Sequence, residues 1–143
     1  VPSPTKEALL VGDSVMAVFR RPASAVSAML RAQQELADPA VHDRPFSLRV
    51  GIHYGPCVAV NLNDRLDYFG STVNIAARLE ALSTGREIVI SDVIRRDPEV
   101  SMLLAELSSL VAVEGIETTL KGFEQETFDL YLIAPKERFS LVV

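Results

Sequence analysis

The chain has one cysteine, Cys57, and no tryptophan. A single thiol excludes an internal disulfide and fits a reducing compartment; Cys57 itself reads as a small buried apolar residue. The two histidines, His42 and His53, form no cluster with it of the kind that holds zinc. No apolar run approaches the roughly 20 residues of a membrane-spanning helix, and no signal-peptide layout opens the sequence. There is no glycine-rich phosphate loop and no Ser/His/Asp order that would suggest a hydrolase. Basic residues are scattered, apart from the pairs Arg20-Arg21 and Arg95-Arg96, and the net charge is −5. With a pI near 5.0, the chain lacks the basic patch that general nucleic-acid binding requires.

What is present fits one domain. A chain of 143 residues can bury a substantial core. Hydrophobic content of 48% and a mean hydropathy of +0.22 are high for a monomer, and a buried subunit face is expected. Val1 to Thr5 hold two prolines and read as a linker or ragged start. Ala8–Val11 and Val15–Phe19 are apolar runs around Gly12-Asp13-Ser14, a hairpin signal. Pro22 and Ser24 open a helix through about Ala37, with Val26, Met29, Leu30, Gln33 and Leu36 on one stripe. Phe46–Tyr54 and Cys57–Asn61 read as strands around a Gly55-Pro56 break, followed by a polar loop to Arg65. Glu87–Ser91 is a short buried strand, and Asp92–Arg96 one helical turn. Met102, Leu103, Leu107 and Leu110 suggest a further helix. Val111–Val113, Thr118–Leu120 and Glu126–Ile133 complete the strands. Hairpins mixed with single helices give an α+β domain, with helices packed on a mainly antiparallel sheet.

The richest stretch runs from Asp67 to Arg78, Asp-Tyr-Phe-Gly-Ser-Thr-Val-Asn-Ile-Ala-Ala-Arg. It reads as a loop that becomes a helix. Gly70 permits a tight turn, and Ser71 or Thr72 can cap the helix that follows. The helix stops before Gly85, a good residue for its end. Asn74 and Arg78 are four apart and share a face, while Ile75, Leu79 and Leu82 take the neighbouring, buried one. An amide and a guanidinium presented together suit a phosphate or a developing anionic oxygen; a solvated helix with a surface arginine is the alternative.

Three further segments accompany this helix: Val11-Gly-Asp-Ser-Val-Met-Ala-Val-Phe19, Arg49-Val-Gly-Ile-His-Tyr-Gly-Pro-Cys-Val-Ala59 and Leu120-Lys-Gly-Phe123. Together they resemble the catalytic domain of the class III adenylate/guanylate cyclases, over roughly residues 9 to 133. The resemblance implies a ferredoxin-like βαββαβ core with extra strands, and residues 1–143 as the greater part of one catalytic domain. It implies a cyclising phosphoryl transfer, in which the 3′-hydroxyl of a nucleoside triphosphate attacks its own α-phosphorus and pyrophosphate leaves. Mg²⁺ or Mn²⁺, held by carboxylates, is the implied cofactor. Asp13 matches a metal aspartate, with an ordinary turn residue as its alternative. Arg78 matches the transition-state arginine and Asn74 the ribose-orienting asparagine. Asp67 matches the purine reader: its carboxylate accepts from an adenine amino group and meets an acceptor in guanine, so ATP is favoured. Asp67 also fits a plain loop cap. Lys121 lies in the matching Leu-Lys-Gly turn, as a structural residue or a weak phosphate contact. His53 is expected to be structural, and His42 solvated.

The family also implies a head-to-tail homodimer, with the metal carboxylates from one subunit and the Asn/Arg helix from the other. No nucleic-acid partner and no direct membrane insertion are expected, and the location implied is cytoplasmic, with a membrane anchor elsewhere in a parent chain left open. Two positions depart from the pattern. The family's first metal aspartate lies well upstream of the second, and no Asp precedes Asp13; the family's opening strand and first helices have no counterpart here, which fits a fragment, with a divergent cyclase as the alternative, and this piece alone is expected to be inactive. The purine-reading lysine falls at Leu9, while Lys6, at an odd offset, would point to the opposite face of a strand. The competing reading is a non-catalytic cyclase-like module that dimerises or holds nucleotide. A dinucleotide-synthesising domain would need a Gly-Gly-Asp/Glu-Glu-Phe hairpin that is not here.

Overall fold

The computed structural model describes residues 5–11, 14–40 and 47–136. Asp13 and His42, with the roles expected for them, lie outside the described residues. Strands β1 (Thr5–Val11) and β2 (Ser14–Phe19) pair antiparallel, from Leu9 opposite Met16 to Val11 opposite Ser14. This is the hairpin the two apolar runs predict, and Thr5, expected in the linker, is already its first strand residue. Lys6 sits where the register shifts, between Thr5 and Glu7. Helix α1 (Pro22–Ala37) begins with proline in its first turn, where the missing N–H costs nothing.

The central sheet has the order β3 (Val50–Ile52), β6 (Ile88–Ser91), β8 (Phe128–Pro135), β7 (Val111–Thr118). The β3–β6 pair is parallel and the other two pairs are antiparallel. All four residues of β6 are buried, which is why its sequence is a continuous apolar run rather than an alternating one. Helices cover both faces of the sheet. Ala25 and Val26 of α1, Ile94 of α3 (Asp92–Arg95) and Val100 and Leu104 of α4 (Pro98–Glu106) pack with Ile88, Ile90 and Ile133. Ile75 and Leu79 of α2 (Ser71–Leu82) pack with Val89, Leu120 and Leu130. The alternation along β8 therefore serves two cores, with Leu130 facing α2 and Ile133 facing the other helices. Buried Gln33 ties α1 to the strand layer by donating to the carbonyls of Leu48 (2.8 Å) and Glu87 (3.0 Å).

Several expectations are corrected. The strand expected over Phe46–Tyr54 is only Val50–Ile52. The polar loop and the loop around Asp67 are instead one hairpin, β4 (Val58–Leu62) and β5 (Arg65–Phe69). Asn63 and Asp64 turn it with φ of 52° and 62°, the paired positive values of a two-residue hairpin turn. The strand expected at Val111–Val113 runs on to Thr118 as β7, and Thr119 and Leu120, expected as strand, lie beyond its end. Gly115 breaks the apolar pattern in sequence, but it pairs with Tyr131, whose ring would come within 3.4 Å of a Cβ there. The apolar stripe of α4 runs through Val100 and Leu104, and Met102 and Leu110 are exposed. Leu82, expected in the buried stripe of α2, is exposed too, as is Cys57.

Candidate functional site

Helix α2 owes its position to two glycines. Gly51 of β3 has no side chain, and a Cβ there would stand 2.2 Å from the Glu80 amide nitrogen and 2.5 Å from the Ala76 carbonyl oxygen. The helix backbone lies directly on the strand. Gly70, at φ 132°, supplies the chain reversal that ends β5 and starts the helix. Neither Ser71 nor Thr72 caps it, contrary to expectation. Thr72 instead donates its hydroxyl to the Pro56 carbonyl and anchors the first turn to the segment leaving β3. The helix ends at Ser83, whose amide donates to Glu80, and Gly85 follows two residues later at φ 99°.

With Ile75 and Leu79 turned into the core, Asn74, Ala77 and Arg78 face outward. A buried aliphatic side chain contributes about 1.5–3 kcal/mol, so the two together fix the rotation of the helix. The same apolar cluster contains buried Leu120 and packs against Phe123. The Phe123 amide donates to the Leu120 carbonyl at 2.8 Å, and Gly122 takes a φ of 90°, a value that glycine adopts without strain. Leu120 and Phe123 thus pin a turn beside α2 and leave Lys121 exposed between them.

The result is a cleft of about 420 Å³ lined by Asn74, Ala77, Arg78, Lys121, Gly122 and Phe123. Ion pairs among the described residues join Arg21 to Glu99, Arg49 to Glu80 and Arg96 to Asp92; Arg78 and Lys121 take part in none of these. Two cationic side chains and an amide on packed backbone have the chemistry to receive an anion. The turn also carries Glu124, which the sequence reading did not single out. Its carboxylate is held below the usual range by the Gly122 amide first, then its own amide, with Arg78 acting in the same direction. The only sequence signal was its place just after Leu120-Lys-Gly-Phe123.

Asp67 does not line the cleft. It sits on β5 opposite Val60, with Oδ1 accepting from the Tyr68 amide at 2.8 Å. His53 is half-buried, its Nδ1 2.7 Å from the Ser91 hydroxyl, and burial pushes its pKa down. That is the structural role expected of it. Among the described residues, no three carboxylate, histidine or cysteine side chains gather as metal ligands.

The adenylate and guanylate cyclase catalytic domain pattern matches residues 6–133. The chain belongs to this family. An uncharacterised protein of Mycobacterium tuberculosis is 35% identical over 115 residues, covering 80% of this chain and 26% of the relative. Guanylate cyclase 32E of Drosophila melanogaster is 28% identical over 126 residues, covering 78% of this chain and 10% of that protein. The chain thus spans 26% and 10% of the length of these relatives. In fold, the cyclase domain is similar to the guanylate cyclase domain of RhGC from Catenaria anguillulae, solved in complex with GTP, with a TM-score of 0.68 at 21% identity over 92% of this chain and 74% of that one. It is also similar to a Trypanosoma brucei adenylate cyclase solved in its monomeric state, with a TM-score of 0.66 at 22% identity over 95% of this chain and 73% of that one. These likenesses establish the α+β cyclase fold.

Proposed function

We propose that residues 1–143 are the greater part of a single catalytic domain that converts ATP to 3′,5′-cyclic AMP and pyrophosphate in signal transduction. One observation carries this reading: the packing of α2 and of the Leu120–Phe123 turn into one core brings Asn74, Arg78 and Lys121 to a single cleft. In the reaction a ribose hydroxyl must approach the α-phosphorus in line, and charge on the phosphoryl oxygens must be neutralised. Arg78 is assigned the second task, Asn74 the orientation of the ribose, and Lys121 a contact to the leaving phosphates. Asp67 is assigned the purine edge. Since a similar fold holds GTP in the C. anguillulae domain, base choice here rests on Asp67 rather than on the fold.

Mg²⁺ or Mn²⁺ is the proposed cofactor, with Asp13 as one ligand; the ion would supply charge neutralisation and hydroxyl activation. The described residues alone do not assemble a site for it, so the roles above are those of the side chains themselves. The reading includes a cytoplasmic location, where the triphosphate substrate is found. No helix of the described residues is long and apolar enough to cross a membrane.

A head-to-tail homodimer belongs to the same proposal. Val58, Val60 and Leu62 share the face of the β4–β5 hairpin on which Asp67 and Phe69 lie, and Val58, Leu62 and Phe69 are 62%, 51% and 47% exposed. An apolar face beside the assigned purine reader fits a site completed by a second copy.

The deciding experiment is Arg78→Ala in the complete catalytic domain, assayed for cyclic AMP. We expect kcat to fall on the order of 10³-fold with little change in KM, because the contact strengthens in the transition state. A loss carried by KM alone would remove Arg78 from its assigned role. Nucleotide binding without any turnover by the complete domain would favour the non-catalytic module.

A further inference from the structure

The cleft has an anion of its own at the rim. Glu124 Oε1 accepts from the Gly122 amide at 2.9 Å, and Gly122 lines the cleft together with Arg78 and Lys121. A second hollow, lined by Gly122 to Glu126, shares Gly122 and Phe123 with the cleft. The Glu124 carboxylate therefore holds an amide of the cleft lining, one that a phosphate oxygen would also use. Resting on the reading of this cleft as a triphosphate site, we propose that Glu124 is its internal counter-anion. It occupies the Gly122 amide and offsets the charge of Arg78 until a polyphosphate displaces it. Glu124 thereby sets how tightly the phosphates bind and how steeply that binding depends on salt.

The depressed pKa of Glu124 agrees with this placement, since the Gly122 amide and Arg78 both favour the charged carboxylate. At neutral pH the carboxylate is ionised, so an incoming phosphate meets its full charge. Glu126, in the same hollow, adds acidic character, and the proposal does not depend on it. Gly122 itself is exposed, at φ 90°, with nothing within 4 Å of where a Cβ would stand.

The test is calorimetric titration of the 143-residue chain with inorganic tripolyphosphate, a probe that needs neither metal nor turnover. Glu124→Gln keeps an acceptor for the Gly122 amide and removes the charge. We expect it to tighten binding roughly two- to fivefold, the size of one exposed charge interaction, and this gain should shrink as salt is raised. The gain should disappear in the Arg78→Ala background, which a merely structural role for Glu124 would not produce. Unchanged affinity in Glu124→Gln, or an equal gain with and without Arg78, overturns the inference while leaving the cleft in place. Tripolyphosphate binding indifferent to Arg78→Ala overturns the reading of the cleft and the inference with it, as does absence of binding in both the wild type and Glu124→Gln.

Discussion

Asp67 and His53 show how differently one side chain can be committed. Asp67 spends one carboxylate oxygen on the neighbouring Tyr68 amide, and the proposed role asks the other to meet a base edge. A hydrogen bond to a charged acceptor contributes about 1.5–3 kcal/mol. Asp67→Ala in the complete domain should therefore flatten an ATP preference of roughly ten- to 150-fold, read as cyclic nucleotide formed from each triphosphate at equal concentration. A mutant that keeps the wild-type ratio would reduce Asp67 to a strand residue. His53 is committed to the fold. Burial disfavours its imidazolium, so its folded pKa lies below the ordinary 6.5. Above that pH the ring is neutral in both folded and unfolded chains, and stability is fully present. As pH falls below it, the unfolded chain takes the proton first, and stability drops until the folded ring also protonates. Urea unfolding at pH 7.5 and 5.5 should show a larger loss for the wild type than for His53→Gln. Equal losses would mean that the ring is not the group responsible.

At the scale of elements, α2 and β3 are inseparable. The short β3 works as a bed for the helix because Gly51 has no side chain. Gly51→Ala would press a methyl group against backbone atoms of Ala76, Leu79 and Glu80, which cannot rotate away as a side chain can. Helix and strand must separate, at a cost of about 1–3 kcal/mol, or a Tm lower by on the order of 5–10 °C. Differential scanning calorimetry checks this, and an unchanged Tm would show that the helix rides further from the strand. The same substitution should lower activity in the complete domain, since α2 carries both Asn74 and Arg78. The Leu120–Phe123 turn is held by the same logic. Its two apolar ends are packed in the cluster of Ile75 and Leu79, so the turn and the helix move together.

For the whole molecule, the exposed face of the β4–β5 hairpin decides between a self-contained domain and one completed by its copy. Exposed valine, leucine and phenylalanine side chains each contribute up to about 1.5–3 kcal/mol when buried at an interface. Val58→Asp with Phe69→Asp should weaken self-association by about tenfold or more, measured by sedimentation velocity. Because both residues are largely exposed in the single chain, its Tm should change little. An unchanged association constant would place the dimer contact elsewhere.

The sequence alone determined what depends on neighbours along the chain. The periodicity of α1 and α2 named Val26, Ile75 and Leu79 as core, because helical spacing puts them on one side whatever the partner. The apolar residues Ile88 to Ile90 marked Glu87–Ser91 as a short buried strand. The spacing of Asn74 and Arg78 placed them together because one turn of helix does so. Tertiary structure decided the rest. Leu82 and Met102 fit their stripes by period but face solvent, since nothing packs over them. Asn63-Asp64 became a hairpin turn only because the flanking strands could pair, and this put Asp67 on a strand instead of a loop. Lys121 and Glu124 lie far from Arg78 along the chain. Only the shared core of Leu79, Leu120 and Leu130 brings the turn that carries them to the helix, because burial joins surfaces without regard to their separation in sequence.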